Sequence, residues 1–134
     1  MTTAKRFEDL DVWQRAKELT SLIYSFSSSG AFARDFGLRD QMRRASVSIM
    51  SNIAEGFESQ TQALFIQYLG HAKGSSGELR AQLYIALEQE YLTSAEFKSA
   101  FSLAELCSKQ LRQVCTILGI STQCPSGAGR WSTL

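Results

Sequence analysis

The sequence predicts an all-α protein, an antiparallel up-down-up-down four-helix bundle, and three observations predict it. Proline, the strongest helix breaker, occurs only at Pro125, so nearly the whole chain is free to be helical. Apolar residues recur at spacings of three and four in four long segments. No segment alternates at period two for long enough to make a strand.

The first predicted helix runs from about Asp9 to Ser27, with Val12, Trp13, Ala16, Leu19, Ile23 and Phe26 on one stripe and Arg15, Lys17 and Glu18 off it. Ser27, Ser28, Ser29 and Gly30 end it. The second runs from about Phe36 to Gly56 and carries Leu38, Met42, Ala45, Ile49 and Ile53 at steps of four, three, four and four, the spacing of a bundle seam. Gly56 is its expected C-terminal stop, and Thr61 is placed to cap the next helix. The third runs from about Gln62 to Gln89 through Phe65, Leu69, Ala72, Ser76, Leu79, Leu83 and Ala86. The fourth opens on Thr93-Ser94-Ala95-Glu96, the spacing of a capping box, and continues through Phe97, Ala100, Ala104, Cys107, Leu111, Val114 and Leu118 to Gly119. Residues 1–119 are therefore expected to form one bundle domain, and residues 120–134, rich in Ser, Thr and Gly without periodicity, a disordered tail.

Fourteen lysines and arginines face thirteen acidic residues, and they are evenly spread: +5/−5 over residues 1–35, +3/−3 over 36–60, +2/−3 over 61–92 and +4/−2 beyond. A dedicated duplex binder concentrates its cations, so this balance argues against strong, non-specific nucleic-acid binding. The polar N-terminus has no apolar stretch behind it and no run of about 18 apolar residues occurs, so neither a secretory signal nor a membrane span is expected. Three cysteines, Cys107, Cys115 and Cys124, with one histidine, His71, suit reduced thiols in the cytoplasm better than disulfides or zinc. No cofactor motif is present.

Polar residues form two stripes. Arg44, Ser48, Asn52 and Glu55 lie at steps of four, four and three on the second helix, and Gln67, His71, Ser75 and Glu78 repeat those steps on the third. A hairpin turning at residues 59 and 60 sets Asn52 opposite Gln67, Ser48 opposite His71, and Arg44 near Ser75 and Glu78. The expected product is a structural network that fixes helix register, with an Arg44–Glu78 ion pair. A di-iron site needs Glu-x-x-His pairs that are absent, and Glu55 with Glu78 as a glycosidase-type pair is the weakest reading. Gly70, Ala72, Gly74, Ser75, Ser76 and Gly77 cost helix propensity, roughly 1 kcal/mol per glycine, and are expected at a close helix crossing that includes Gly74. They do not make a phosphate loop, since the Walker lysine is missing. Leu64, Phe65, Ile66, Tyr68 and Leu69 give the third helix a second apolar face, which predicts a homo-oligomer. Arg39, Arg43 and Lys73 are the candidate nucleic-acid contacts.

The residues also carry a family likeness. Asp11-Val12-Trp13-Gln14-Arg15-Ala16, Gln41-Met42-Arg43-Arg44-Ala45, Ser48-Ile49-Met50-Ser51-Asn52-Ile53-Ala54-Glu55-Gly56, Ala72-Lys73-Gly74-Ser75, Glu78-Leu79 and Gln82-Leu83 together resemble the 23S ribosomal RNA intervening-sequence protein family over about residues 7–97. The resemblance implies a four-helix bundle assembling into a homopentamer, encoded in bacteria, with no established enzyme activity. It is also similar to the accessory proteins of diversity-generating retroelements, positively charged pentamers that bind nucleic acid and a reverse transcriptase. With a net charge of only +1 the chain departs from that branch. The expectation is a non-catalytic interaction or scaffold protein with weak RNA association or an unidentified protein partner. The rivals are a nucleic-acid-binding accessory subunit of a reverse-transcriptase or RNA-processing system and, last, an enzyme using Glu55 and Glu78.

Overall fold

The computed structural model describes residues 4–118, so the expected tail at 120–134 and Cys124 lie outside the described residues. Those residues are all-helical: a 3-10 turn at Phe7–Asp9, then α1 (Asp11–Phe26), α2 (Gly30–Arg34), α3 (Phe36–Glu58), α4 (Gln62–Glu88) and α5 (Ser94–Ile117). The four long helices are those the periodicity predicts.

Two short elements depart from the expectation. The first helix does not begin at Asp9, because the Asp9 carboxylate accepts the backbone N–H groups of Lys5 and Arg6 (3.2 Å each) and closes the 3-10 turn instead. Between the serine run and Phe36 the chain makes α2, entered through Gly30 at φ 69°, a left-handed conformation that glycine adopts without strain. This helix seats the buried Phe32 against the ring of Tyr91, with centroids 5.3 Å apart. Asp35 ends α2 and starts α3. One of its oxygens accepts the Leu38 N–H (3.1 Å) and the other the Tyr91 hydroxyl (2.9 Å), so one carboxylate ties the α2–α3 junction to the α4–α5 loop. That hydrogen bond to Asp35 also raises the Tyr91 pKa above its ordinary value.

The remaining ends follow their predicted chemistry. Thr61 accepts from Leu64 N–H (3.1 Å) at the start of α4, and Thr93 with Glu96 forms the full capping box of α5. The end of α4 departs from convention: Glu90, at φ 63°, occupies the left-handed position usually given to glycine, with Tyr91 N–H bonded to Ala86 O and Glu90 N–H to Leu87 O (2.9 Å each). Gly56 does not stop α3. The helix passes through it to Glu58, because Gly56 is buried against α4 and Ser59 caps beyond it, its N–H reaching Gly56 O at 3.1 Å.

α3 packs on α4, α4 on α5, α5 on α1 and α1 on α3. Between them lie the stripes read from the sequence: Leu19, Ile23, Met42, Ile49, Ile53, Leu69, Leu79, Leu83, Cys107 and Leu111 are fully buried. Each large aliphatic side chain among them contributes roughly 1.5–3 kcal/mol of burial. Trp13, Phe26, Leu38, Phe65, Phe97, Val114 and Leu118 pack around the margin. No described helix is long and apolar enough to cross a membrane.

The close crossing expected around Gly74 lies elsewhere. Gly74 is exposed, with nothing within 4 Å of where a Cβ would stand, since it points away from the buried Ala72 and Ser76. The tight approach between α3 and α4 is at Gly56, where an added Cβ would meet Tyr68 Cβ at 2.8 Å and Phe65 Cδ1 at 2.9 Å. α4 does come close to α5 at Ser76, whose buried hydroxyl donates to Ala104 O (2.8 Å) and accepts from Ser108 (3.0 Å).

Candidate functional site

The polar stripes of α3 and α4 meet, one turn out of the expected register. Ser48 Oγ bonds Ser75 Oγ at 2.8 Å, and Asn52 Nδ2 donates back along its own helix to Ser48 O (2.8 Å) and Oγ (3.0 Å). The offset arises because α3 continues to Glu58 and α4 begins only after Thr61, which moves the turning point toward residue 61. His71 and Gln67 are consequently exposed, and His71 meets only the edge of the Tyr68 ring, centroids 6.3 Å apart.

Arg44 and Glu78 line one groove of about 310 Å³ with Gln41, Ala45, Ser48 and Ser75. The expected Arg44–Glu78 ion pair is not formed among the described residues. Both side chains are exposed and keep their hydration, and the Glu78 carboxylate accepts instead from Gln82 Nε2 (3.4 Å). Glu55 is exposed, stands outside this groove and makes no hydrogen bond or ion pair among the described residues. Ala45, beside Glu78, precedes Glu55 by ten residues, about 15 Å of helical rise. Glu55 and Glu78 therefore do not share this groove.

The three cations nominated from sequence are not brought together. Arg39 is held by Asp40 (2.9 Å) and Ala33 O (3.0 Å) and lies over the Phe36 ring at 4.9 Å. Arg43 donates to Ser27 Oγ (2.8 Å) and covers the Tyr24 ring at 4.5 Å, stitching α3 to the end of α1. Lys73 stands apart from both, in a groove of about 450 Å³ between α4 and α5. There it is joined by Arg80, Lys109 and Arg112, with Glu105, Ser108 and Gln113 completing the lining.

Those three further cations escaped sequence reasoning for a geometric reason. Lys73, Gly77 and Arg80 share one face of α4 at steps of four and three, and Glu105, Ser108, Lys109 and Arg112 share one face of α5 at steps of three, one and three. Each set is legible by itself, but only the pairing of α4 with α5 sums them into one patch. Cys107, near this face in sequence, is buried, and burial pushes its thiol up to about 12, so it is no nucleophile at neutral pH. Among the described residues no cluster of three His, Cys, Asp or Glu side chains could hold a metal ion.

No curated protein matches the sequence. A solved structure from Bacteroides thetaiotaomicron, a protein of unknown function from the S23 ribosomal protein family, is similar with a TM-score of 0.71 and 25% identity, covering 77% of this chain and 96% of that one. The profile of the 23S rRNA-intervening sequence proteins matches residues 8–113, which takes in all of α1 to α4 and most of α5, and the chain therefore belongs to that family.

Proposed function

We propose that this protein is a non-catalytic cytoplasmic interaction module: an up-down-up-down four-helix bundle that assembles into a homo-oligomer, a pentamer, and associates weakly with RNA. The bundle reading is supported by the cycle of contacts among the four long helices and by their cross-contacts. Ser48 meets Ser75 while Gly56 approaches Tyr68, and Ser76 meets Ala104 while the Tyr84 and Phe97 rings lie 5.2 Å apart, so numbering falls along one helix as it rises along its neighbour.

The observation that carries self-assembly is on α4. Of the five residues expected to form its second apolar face, Ile66 and Leu69 are buried and Phe65 packs against the core, because that stretch turns into the bundle, and Leu64 stays 41% exposed. Tyr84 and Ile85, 54% and 47% exposed, carry the outer apolar surface instead. A helix that has already satisfied its own core gains nothing by carrying large apolar groups outside it unless they are covered by a further surface. Self-association is the reading consistent with the family resemblance. RNA association rests on the family's link to ribosomal RNA insertions; the balanced charge leaves few surplus cations per subunit and makes it weak, while a ring would repeat them around its axis.

The test of the RNA component is a salt titration. A fluorescein-labelled RNA hairpin should bind at low ionic strength, with log affinity falling linearly against log salt. Absence of any salt-sensitive binding to the native protein removes RNA and leaves the scaffold. The rival reading, an accessory subunit of a reverse-transcriptase or RNA-processing system, requires tight binding that persists at physiological salt.

A further inference from the structure

We propose that the α4/α5 groove is where the chain holds RNA, by the phosphodiester backbone and without reading bases, with Lys73, Arg80, Lys109 and Arg112 as the contacts. This rests on the RNA association proposed above and assigns it a place and a mode.

Four of the chain's 14 lysines and arginines line this one groove, against one of its 13 carboxylates, Glu105. A near-neutral protein has therefore concentrated its cations where two helices meet, and the groove focuses their field. None of the four is neutralised inside the chain: their side chains make no ion pair or hydrogen bond among the described residues, unlike those of Arg15, Arg39 and Arg43. Arg80 is the most telling. Its Nε is buried and has no hydrogen-bond partner, while a Cβ placed on Gly77 would lie 3.7 Å from the terminal nitrogen of the same guanidinium. The guanidinium thus lies beside Gly77, a residue with no side chain, and its two terminal nitrogens, which no described group of the chain engages, are the donors it can offer to a phosphate oxygen pair.

The lining also bears on the mode of contact. Among the described residues it contains no aromatic ring, the usual platform on which unpaired bases stack, which leaves backbone charge as its main handle. Lys73 and Arg80 are seven residues apart on α4, about 10 Å of rise, enough to reach about two or three successive phosphates of a paired strand. Ser108 and Gln113 complete the lining with neutral hydrogen-bonding groups. The ligand is a base-paired stem, gripped by its backbone irrespective of sequence.

The experiment compares the wild type with a Lys109→Gln/Arg112→Gln double variant and with an Arg34→Gln/Lys98→Gln control that removes the same charge from exposed positions outside the groove. Binding of two fluorescein-labelled RNA hairpins of unrelated stem sequence is followed by anisotropy across a salt series, with circular dichroism confirming that each variant is folded. The expected result is equal affinity for both hairpins, a log–log salt slope smaller by about two for the groove variant, and a slope close to wild type for the control. A further Lys109→Arg variant should retain binding. If wild type binds RNA but groove and control variants weaken it equally, binding is a diffuse charge effect and the groove is wrong while RNA association survives. Preference for an unpaired strand, or for one stem sequence, overturns the backbone mode. If sodium tripolyphosphate binds the wild type while neither hairpin does, the groove is a site for small polyphosphates, and the RNA reading falls with this one.

Discussion

Two glycines in the same helical hairpin should respond in opposite directions to the same substitution. At Gly56 an alanine Cβ would stand 2.8 Å from Tyr68 Cβ, 2.9 Å from Phe65 Cδ1 and 3.3 Å from Phe65 O. Ordinary carbon contacts lie at roughly 3.5–4.0 Å, so about 0.7 Å of separation must be found. Rotating Phe65 relieves only one contact, because Tyr68 Cβ and Phe65 O move with the backbone of α4, and the helices themselves must part. Overpacking of this kind costs about 1–3 kcal/mol, and the helix propensity gained by replacing glycine returns about 1 kcal/mol. Gly56→Ala should therefore destabilise by up to about 2 kcal/mol. Gly74 lies mid-helix with nothing within 4 Å, so Gly74→Ala collects the propensity gain alone and should stabilise by about 1 kcal/mol. At roughly 3–6 °C per kcal/mol for a domain of this size, the two variants should melt about 3–18 °C apart by far-ultraviolet circular dichroism at one fixed protein concentration. Equal stabilisation by both substitutions would refute the assignment of the close crossing to Gly56.

Three further outcomes follow from local geometry. Glu90→Gly should stabilise by about 0.5–1 kcal/mol in urea unfolding, because relief of the left-handed conformation at φ 63° outweighs the added chain entropy; a loss would show that the glutamate side chain has a role of its own. Thr93→Ala should lower the urea midpoint by about 1 kcal/mol equivalent, since it removes the hydroxyl that receives the Glu96 N–H at 3.1 Å, and an unchanged midpoint would mean that the capping box adds nothing. Burial raises the Cys107 thiol from 9.0 to about 12 in the folded state, so its contribution is fully present below pH 9 and is lost as pH climbs toward 12, at about 1.4 kcal/mol per unit between them; Cys107→Ala should show a shallower alkaline decline, and parallel curves would contradict the shift.

The long helices were legible because burial on one side imposes a period that survives in the sequence. The stripes Val12–Ala16–Leu19–Ile23 and Met42–Ala45–Ile49–Ile53 are buried as read, and Thr61 and Thr93 cap as their spacing implies. What escaped depends on relations the period does not encode. Five residues at Gly30–Arg34 are too few to display periodicity, and a glutamate in a left-handed position gives no compositional signal. Gly56 and Gly74 look alike on paper, and which of them faces a neighbouring backbone depends on the α3/α4 register, itself shifted by the two residues α3 extends past Gly56. The polar seam suffered the same shift, which joined Ser48 to Ser75 and left His71 outside. Arg43 looked available for phosphate, yet its partners Ser27 and Tyr24 lie 16 and 19 positions earlier in the chain.

The central claim, that this bundle is a self-assembling module, is tested most directly by the absolute mass of the purified protein from light scattering at micromolar concentration, with absorbance and refractive index recorded together to separate protein from bound nucleic acid. A pentamer of the 14.9 kDa chain predicts a protein mass of about 75 kDa, five times that value, independent of dilution across the working range. A protein mass of 14.9 kDa at every concentration would contradict the account, leaving the exposed Leu64, Tyr84 and Ile85 without a covering surface of this chain's own making.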